Sequence, residues 1–202
     1  PSAVFCFLKS NESLSAPDIQ INFTPGTHQR GMQSTLENQA GFTMATWQHR
    51  PESYGYVRAR SQDPFKHPEI QPNYLAADTD QQVILAAIKI CRKLAQTEAL
   101  KPFVVEETFP SVACQNDNDL LNSAREIGQS IYHLMGTCRM GSRDDKTAVV
   151  DAELRVHGIK NLRVIDASIM PTMVSANLNA AVMMIAEKGA DMVLGKLSAK
   201  PH

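Results

Sequence analysis

The chain has 202 residues and a formal net charge of −1, with 43% hydrophobic and 20% charged residues, an ordinary globular composition that can bury a core. A charge this close to zero gives no general attraction to nucleic acid or to an anionic membrane. No apolar run approaches the ~20 residues that a spanning helix needs, so there is no clear membrane segment.

The opening stretch, PSAVFCFLKSNES, lacks the basic start and apolar region of a signal peptide. Its first residue, Pro1, without an initiator Met, reads as a piece of something longer. Asp18 to Phe23 (DIQINF) alternates Ile19, Ile21 and Phe23 against polar Gln20 and Asn22, the pattern of a half-buried strand. PGTHQRGMQSTLENQA has no periodicity and reads as a loop, either solvated or a lid over a pocket. Gly41 to Trp47 and Tyr54 to Arg60 read as two strands, and the short HRPES connection predicts that they pair antiparallel. Pro64, Pro68 and Pro72 keep Asp63 to Tyr74 extended or turning.

Helical spacing of Val83, Ile84, Ala87, Ile88, Cys91, Leu94 and Ala95 predicts a helix over Thr79 to Gln96, with Asp78 and Gln81 as a capping box. A second helix is expected from about Asn118 to Ile131, with Leu120, Leu121, Ala124, Ile127 and Ile131 buried. Both are explained by packing alone. A sheet with helices on it is an α+β domain.

Beyond Ile131 the character changes. HLMGTCRMG is punctuated by glycine and carries the imidazole of His133, a hydroxyl and a guanidinium. VVDAELRVHGIKNLRVIDAS predicts a short hairpin turned at His157 and Gly158, then a strand over Leu162 to Ile165 that runs into Asp166. Ligands of open α/β sheets bind at the carboxyl ends of strands. The last helix is expected over Asn179 to Leu194, with Val182, Ile185, Ala186, Gly189 and Val193 inward. Taken alone, Asn177 or Asn179 is best read as its N-cap, although a free helix N-terminus also suits an anion. Cys6, Cys91, Cys114 and Cys138 are far apart with no C-x-x-C pair, which argues against a zinc site, so no metal is expected. Free thiols fit a reducing compartment, and a cytoplasmic location is expected. Cys138 lies five residues from His133, an offset that assures no contact and makes a poor case for a catalytic thiol.

HLMGTCRMG, VVDAELRVHGIKNLRVIDASIMP and the N-x-N opening of the AAVMMIAEKGAD helix resemble the carboxyl-terminal part of the glucose–methanol–choline oxidoreductases, FAD-dependent enzymes acting on alcohols. Upstream, RPESYGYVRARSQDP, HPEIQPNYL, LAQTEALKPF and DLLNSAREIGQSIYH are similar to the same family, so the likeness covers nearly the whole chain, with the choline dehydrogenase-like members nearest. The resemblance implies an antiparallel sheet flanked by helices over residues 1–130, the substrate-binding domain. It also implies that residues 131–202 hold the active-site segment and the returning strand and helix of the FAD domain. His133 matches the residue that takes the hydroxyl proton while hydride leaves for flavin N5. Asn177 matches the second position of that pair and would hydrogen-bond the substrate oxygen. Asp166 and Ala167 match the element beside the flavin's ribityl and pyrophosphate, and Asn179 and Ala180 the helix start under its pyrimidine edge.

The chemistry agrees with those roles. An imidazole of ordinary pKa near ~6.5 accepts a proton at pH 7, and an Asn amide donates to an oxygen gaining negative charge without competing for that proton. No G-x-G-x-x-G occurs among the ten glycines, so the adenosine half of an FAD site is absent. The expected partners are a small alcohol and the missing N-terminal FAD-binding region, with FAD bound weakly or not at all by this chain alone. A flavin-free binding or oligomerisation domain of the same fold is the alternative.

Overall fold

A computed structural model of the chain describes residues 4–29, 32–175 and 177–196. It divides into two compact units, Pro1–Gly55 with Pro72–Gln129, and Tyr56–Gln71 with Ser130–His202. A single cut after residue 130 leaves Tyr56–Gln71 with the first unit, whereas it groups with the second.

The first unit is built on a three-stranded antiparallel sheet of β1 (Val4–Leu8), β2 (Ile19–Thr24) and β5 (Thr43–Gln48), in the order β1-β2-β5. In β2, Ile19 and Ile21 are buried as the alternation requires, but so is Gln20, at 1% exposure. Its amide is satisfied rather than solvated: Oε1 lies 3.0 Å from Nε2 of buried His49, which is how a polar residue survives in a core. The stretch read as a loop contains a two-stranded hairpin, β3 (His28–Gln29) and β4 (Met32–Leu36), with a register shift between His28 and Gln29. A two-residue strand is too short to leave periodicity in the sequence.

β5 does not pair with the next strand. Between them the Asp80 carboxylate accepts from the backbone N–H of Glu52 and of Ser53, each at 2.8 Å. HRPES is therefore an anchor on a helix start, not a hairpin turn. β6 (Tyr56–Arg58) pairs instead with β7 (Glu69–Gln71) in the second unit, fixed by Tyr56 Oη donating to Glu69 at 2.7 Å.

Helix α1 (Asp78–Ala95) starts one residue before the expected position, and the capping box does not form. Ser53 Oγ accepts from the N–H of Ala76 and of Ala77 at 3.0 Å, while Gln81 donates to the Leu75 carbonyl at 2.9 Å. The cap thus comes from a distant part of the chain. α1 buries two faces: Val83 and Ala87 lie against Ile19 and Ile21, and Leu85 packs on Leu120 and Leu121 of α2 (Asp117–Ile127). α2 is capped by Asn116, which accepts from Asp119 N at 2.9 Å. It ends before Gly128, whose ψ of 136° turns the chain extended, so Ile131 falls outside the helix.

The second unit packs Val150, Leu154, Ile169, Met170, Leu178 and Ile185 into its own core. The chain turns at His157–Gly158 as expected, with Gly158 at φ +80°. Leu162–Ile165, however, pairs only through isolated contacts: Val156 N donates to Leu162 O, Val164 N to Leu154 O, and Arg155 bridges Arg163. Its partner segment is short because Asp151 accepts from the N–H of Glu153 and of Arg155 and bends the chain there. Helix α3 (Asn179–Val193) presses Gly189 onto Ile165, so closely that a Cβ at 189 would stand 2.3 Å from Ile165 Cγ2. Val193, expected inside, is 59% exposed, as are Met183 and Met184 at 56% and 59%. No helix among the described residues is long and apolar enough to cross a membrane.

Candidate functional site

The segment carrying His133 leaves α2 extended and meets Tyr132, which sits in the left-handed region at φ +62° with its N–H on Ser130 Oγ at 2.9 Å. A non-glycine residue at positive φ stores backbone strain, a feature that clusters at functional sites. Tyr132 is 86% exposed, and the half-buried His133 follows it directly. After Gly136, at φ +84°, the chain is clipped to a 3₁₀ turn, Ala167–Ile169. Gly136 N, Cys138 N and Met140 N donate to the carbonyls of Ala167, Ser168 and Ile169 at 3.4, 2.9 and 2.7 Å.

Asp166 stands at the cap of that turn, its Oδ1 accepting from Ser168 N at 2.8 Å. It is exposed, Ala167 beside it is half-buried, and the preceding Ile165 is the residue against Gly189 of α3. Ile169 and Met170 then enter the core at 4% and 5% exposure.

At the start of α3 the cap position falls to Leu178, which has no acceptor and is buried at 4%. Neither Asn177 nor Asn179 caps the helix, against the simplest reading of the sequence. Asn177 instead turns its amide to the imidazole: Nδ2 and His133 Nε2 are 3.0 Å apart, although 44 residues separate them along the chain. An amide N–H can only donate, so the contact is made with Nε2 as the acceptor. Asn179 and Ala180 are exposed in the first turn of α3, which contains no acidic side chain. The positive end of its dipole is left without a compensating carboxylate from that turn.

The structure thus brings His133 and Asn177 into contact, and places Asp166 and Ala167 on the turn that holds the His133 segment. Tyr132 escapes a motif reading, and its only signal is an aromatic directly before the histidine. Arg139, the guanidinium of HLMGTCRMG, has a buried Nε with no hydrogen-bond partner among the described residues, and its charge helps hold the Asp145 carboxyl below the usual range, after the hydrogen bonds from Thr147.

A family profile described as GMC oxidoreductase matches residues 51–186. The chain belongs to the GMC oxidoreductase family. It is 42% identical over 191 residues to the mitochondrial choline dehydrogenase of Homo sapiens, covering 94% of this chain and 32% of that protein. The oxygen-dependent choline dehydrogenase of Escherichia coli O45:K1 is also 42% identical, over 94% of this chain and 33% of its own length. The chain therefore spans about a third of the curated relatives it matches. Among solved structures, pyridoxine 4-oxidase from Mesorbium loti superposes with a TM-score of 0.81 at 25% identity, over 98% of this chain and 38% of that one. Formate oxidase gives 0.78 at 28% identity, over 90% and 32%. This GMC chain shares the α+β fold of those oxidases.

Proposed function

We propose that the longer protein containing this chain oxidises a primary alcohol to an aldehyde with FAD, choline being the first substrate to test in view of the two choline dehydrogenases. The observation that carries the reading is the 3.0 Å contact between Asn177 and His133. Bound FAD would supply the acceptor for the hydride. His133 would take the hydroxyl proton at Nε2, the nitrogen that Asn177 now faces. Asn177 would pass its N–H to the substrate oxygen as negative charge grows there, an interaction stronger in the transition state than before it. Asp166, Ala167, Asn179 and Ala180 would line the flavin. The uncapped, acid-free start of α3 suits an electron-rich ring edge. Tyr132, exposed beside the pair, offers a π face that suits a quaternary ammonium.

The assignment of residues 1–130 to substrate binding and of 131–202 to the active site and FAD domain belongs to the same proposal. So does the N-terminal FAD-binding region as partner: Met183, Met184 and Val193 of α3 and its C-cap Leu194 stand 56–65% exposed and would be covered by it. The four cysteines are unpaired, which supports a reducing, cytoplasmic setting.

The test is expression of the full-length protein, inspection for bound flavin, and anaerobic bleaching with a panel of alcohols that includes choline. His133→Ala should slow flavin reduction by alcohol by roughly 100-fold or more, the usual worth of a general base; an unchanged rate removes His133 from the mechanism. The chain alone should bind FAD weakly or not at all, and a yellow preparation would contradict that part.

A further inference from the structure

We propose that Asp166 is a positioning residue for the His133–Asn177 pair and acts through the turn it caps. The significance of this rests on the functional reading above, but its test does not. The Asp166 carboxylate is linked to Ser168 N at 2.8 Å and so holds Ala167–Ile169 as a 3₁₀ turn. All three carbonyls of that turn accept from the His133 segment, through Gly136, Cys138 and Met140. On the other arm, Ile169 and Met170 share a core with Leu178, the residue directly after Asn177. Each member of the pair therefore hangs from a structure seated on this turn, three residues away for His133 and one for Asn177.

A turn of three residues has almost no internal hydrogen bonding to hold it: Met170 N to Ala167 O at 3.2 Å and Ile169 N to Asp166 O at 3.3 Å. Nucleating a single turn is unfavourable without outside support. Besides the three bonds from the His133 segment, the cap is that support, and it needs an acceptor of the right reach, not a charge. Asn caps as well as Asp, while Ala does not cap at all. Glu keeps the charge but carries it one methylene further out.

The experiment follows from this difference. In the 202-residue chain, ¹⁵N NMR of the His133 ring reports its tautomer, and the Asn177 side-chain amide reports exchange with solvent. Asp166→Ala and Asp166→Glu should both release the pair, raising Asn177 amide exchange on the order of fivefold and averaging the two His133 nitrogens. Asp166→Asn should keep the native signals. Ile185→Val, which weakens the same core without touching the cap, should lower the melting temperature and leave the pair unmoved. If Asp166→Ala does not fold, the contrast between Asn and Glu decides. Native pair signals in Asp166→Ala or Asp166→Glu, or their loss in Asp166→Asn, would overturn the proposal. Failure of the functional reading is a separate outcome, seen when alcohol does not reduce flavin in a full-length protein whose pair is intact.

Discussion

Gly189 provides the sharpest test of how the second unit is packed. A methyl group there would sit 2.3 Å from Ile165 Cγ2, 3.1 Å from Cδ1 and 3.3 Å from Cγ1, against the ~3.5–4.0 Å that carbon atoms prefer. Ile165 is β-branched and stiff at χ1, so it cannot simply swing away. Two effects oppose each other in Gly189→Ala. Helix propensity favours alanine by about 0.8–1.0 kcal/mol, and overpacking costs about 1–3 kcal/mol. The net expectation is a loss of about 0–2 kcal/mol.

The overlap can be isolated by repeating the substitution over Ile165→Ala, which removes the offending methyls at about 2 kcal/mol for a half-buried side chain. In that background Gly189→Ala should stabilise by about 1 kcal/mol. The coupling between the two positions is then the overlap itself, about 1–3 kcal/mol. Urea unfolding of the four variants measures it. Equal effects of Gly189→Ala in both backgrounds would refute the close approach.

Further expectations are open to direct measurement. Asp80, 2% exposed, accepts from Glu52 N, Ser53 N and Ser53 Oγ; Asp80→Ala should cost about 3 kcal/mol or more and Asp80→Asn roughly half that, by denaturant unfolding. Burial, then the adjacent Arg50, pushes the His49 imidazole below its ordinary 6.5, with Asp18 pulling the other way. An unfolded chain then binds more protons than the folded one, so this contribution is full above pH 6.5 and is lost as the pH falls toward the folded-state value. His49→Gln should flatten the acid side of a stability–pH curve, and an unchanged slope would dismiss His49 as its cause. Burial, with Cys6 nearby, pushes the Cys91 thiol up to about 12, so alkylation of the folded chain at pH 8 should leave Cys91 as the slowest thiol by mass spectrometry.

Periodicity was sufficient wherever structure is local. The apolar spacing over Thr79 to Gln96 located α1 to within a residue, and the alternation of Ile19, Ile21 and Phe23 located β2. It also located β5 and β6, but their expected pairing does not form, because the linker residues Glu52 and Ser53 are claimed by Asp80, 28 and 27 residues away. β1, for which no strand was expected, pairs with β2 although Val4, Phe5 and Phe7 stand 58%, 54% and 48% exposed. Gln20 looked solvent-facing by its polarity. The arrival of His49 at Oε1, with Asn22 accepting from Nε2, makes its burial tolerable.

By itself the sequence determined the helices, the central strand, the glycine-punctuated turn and the family to which the chain belongs, because each depends on residue type and spacing over one or two turns of chain. Only the tertiary structure decided what Asn177 does. Local preference favours an Asn near a helix start as a cap, yet burial of Leu178 hands that position to a residue with no acceptor and frees the amide to reach His133. A hydrogen bond across 44 residues is set by how two arms seat on one core, and no window along the chain contains both.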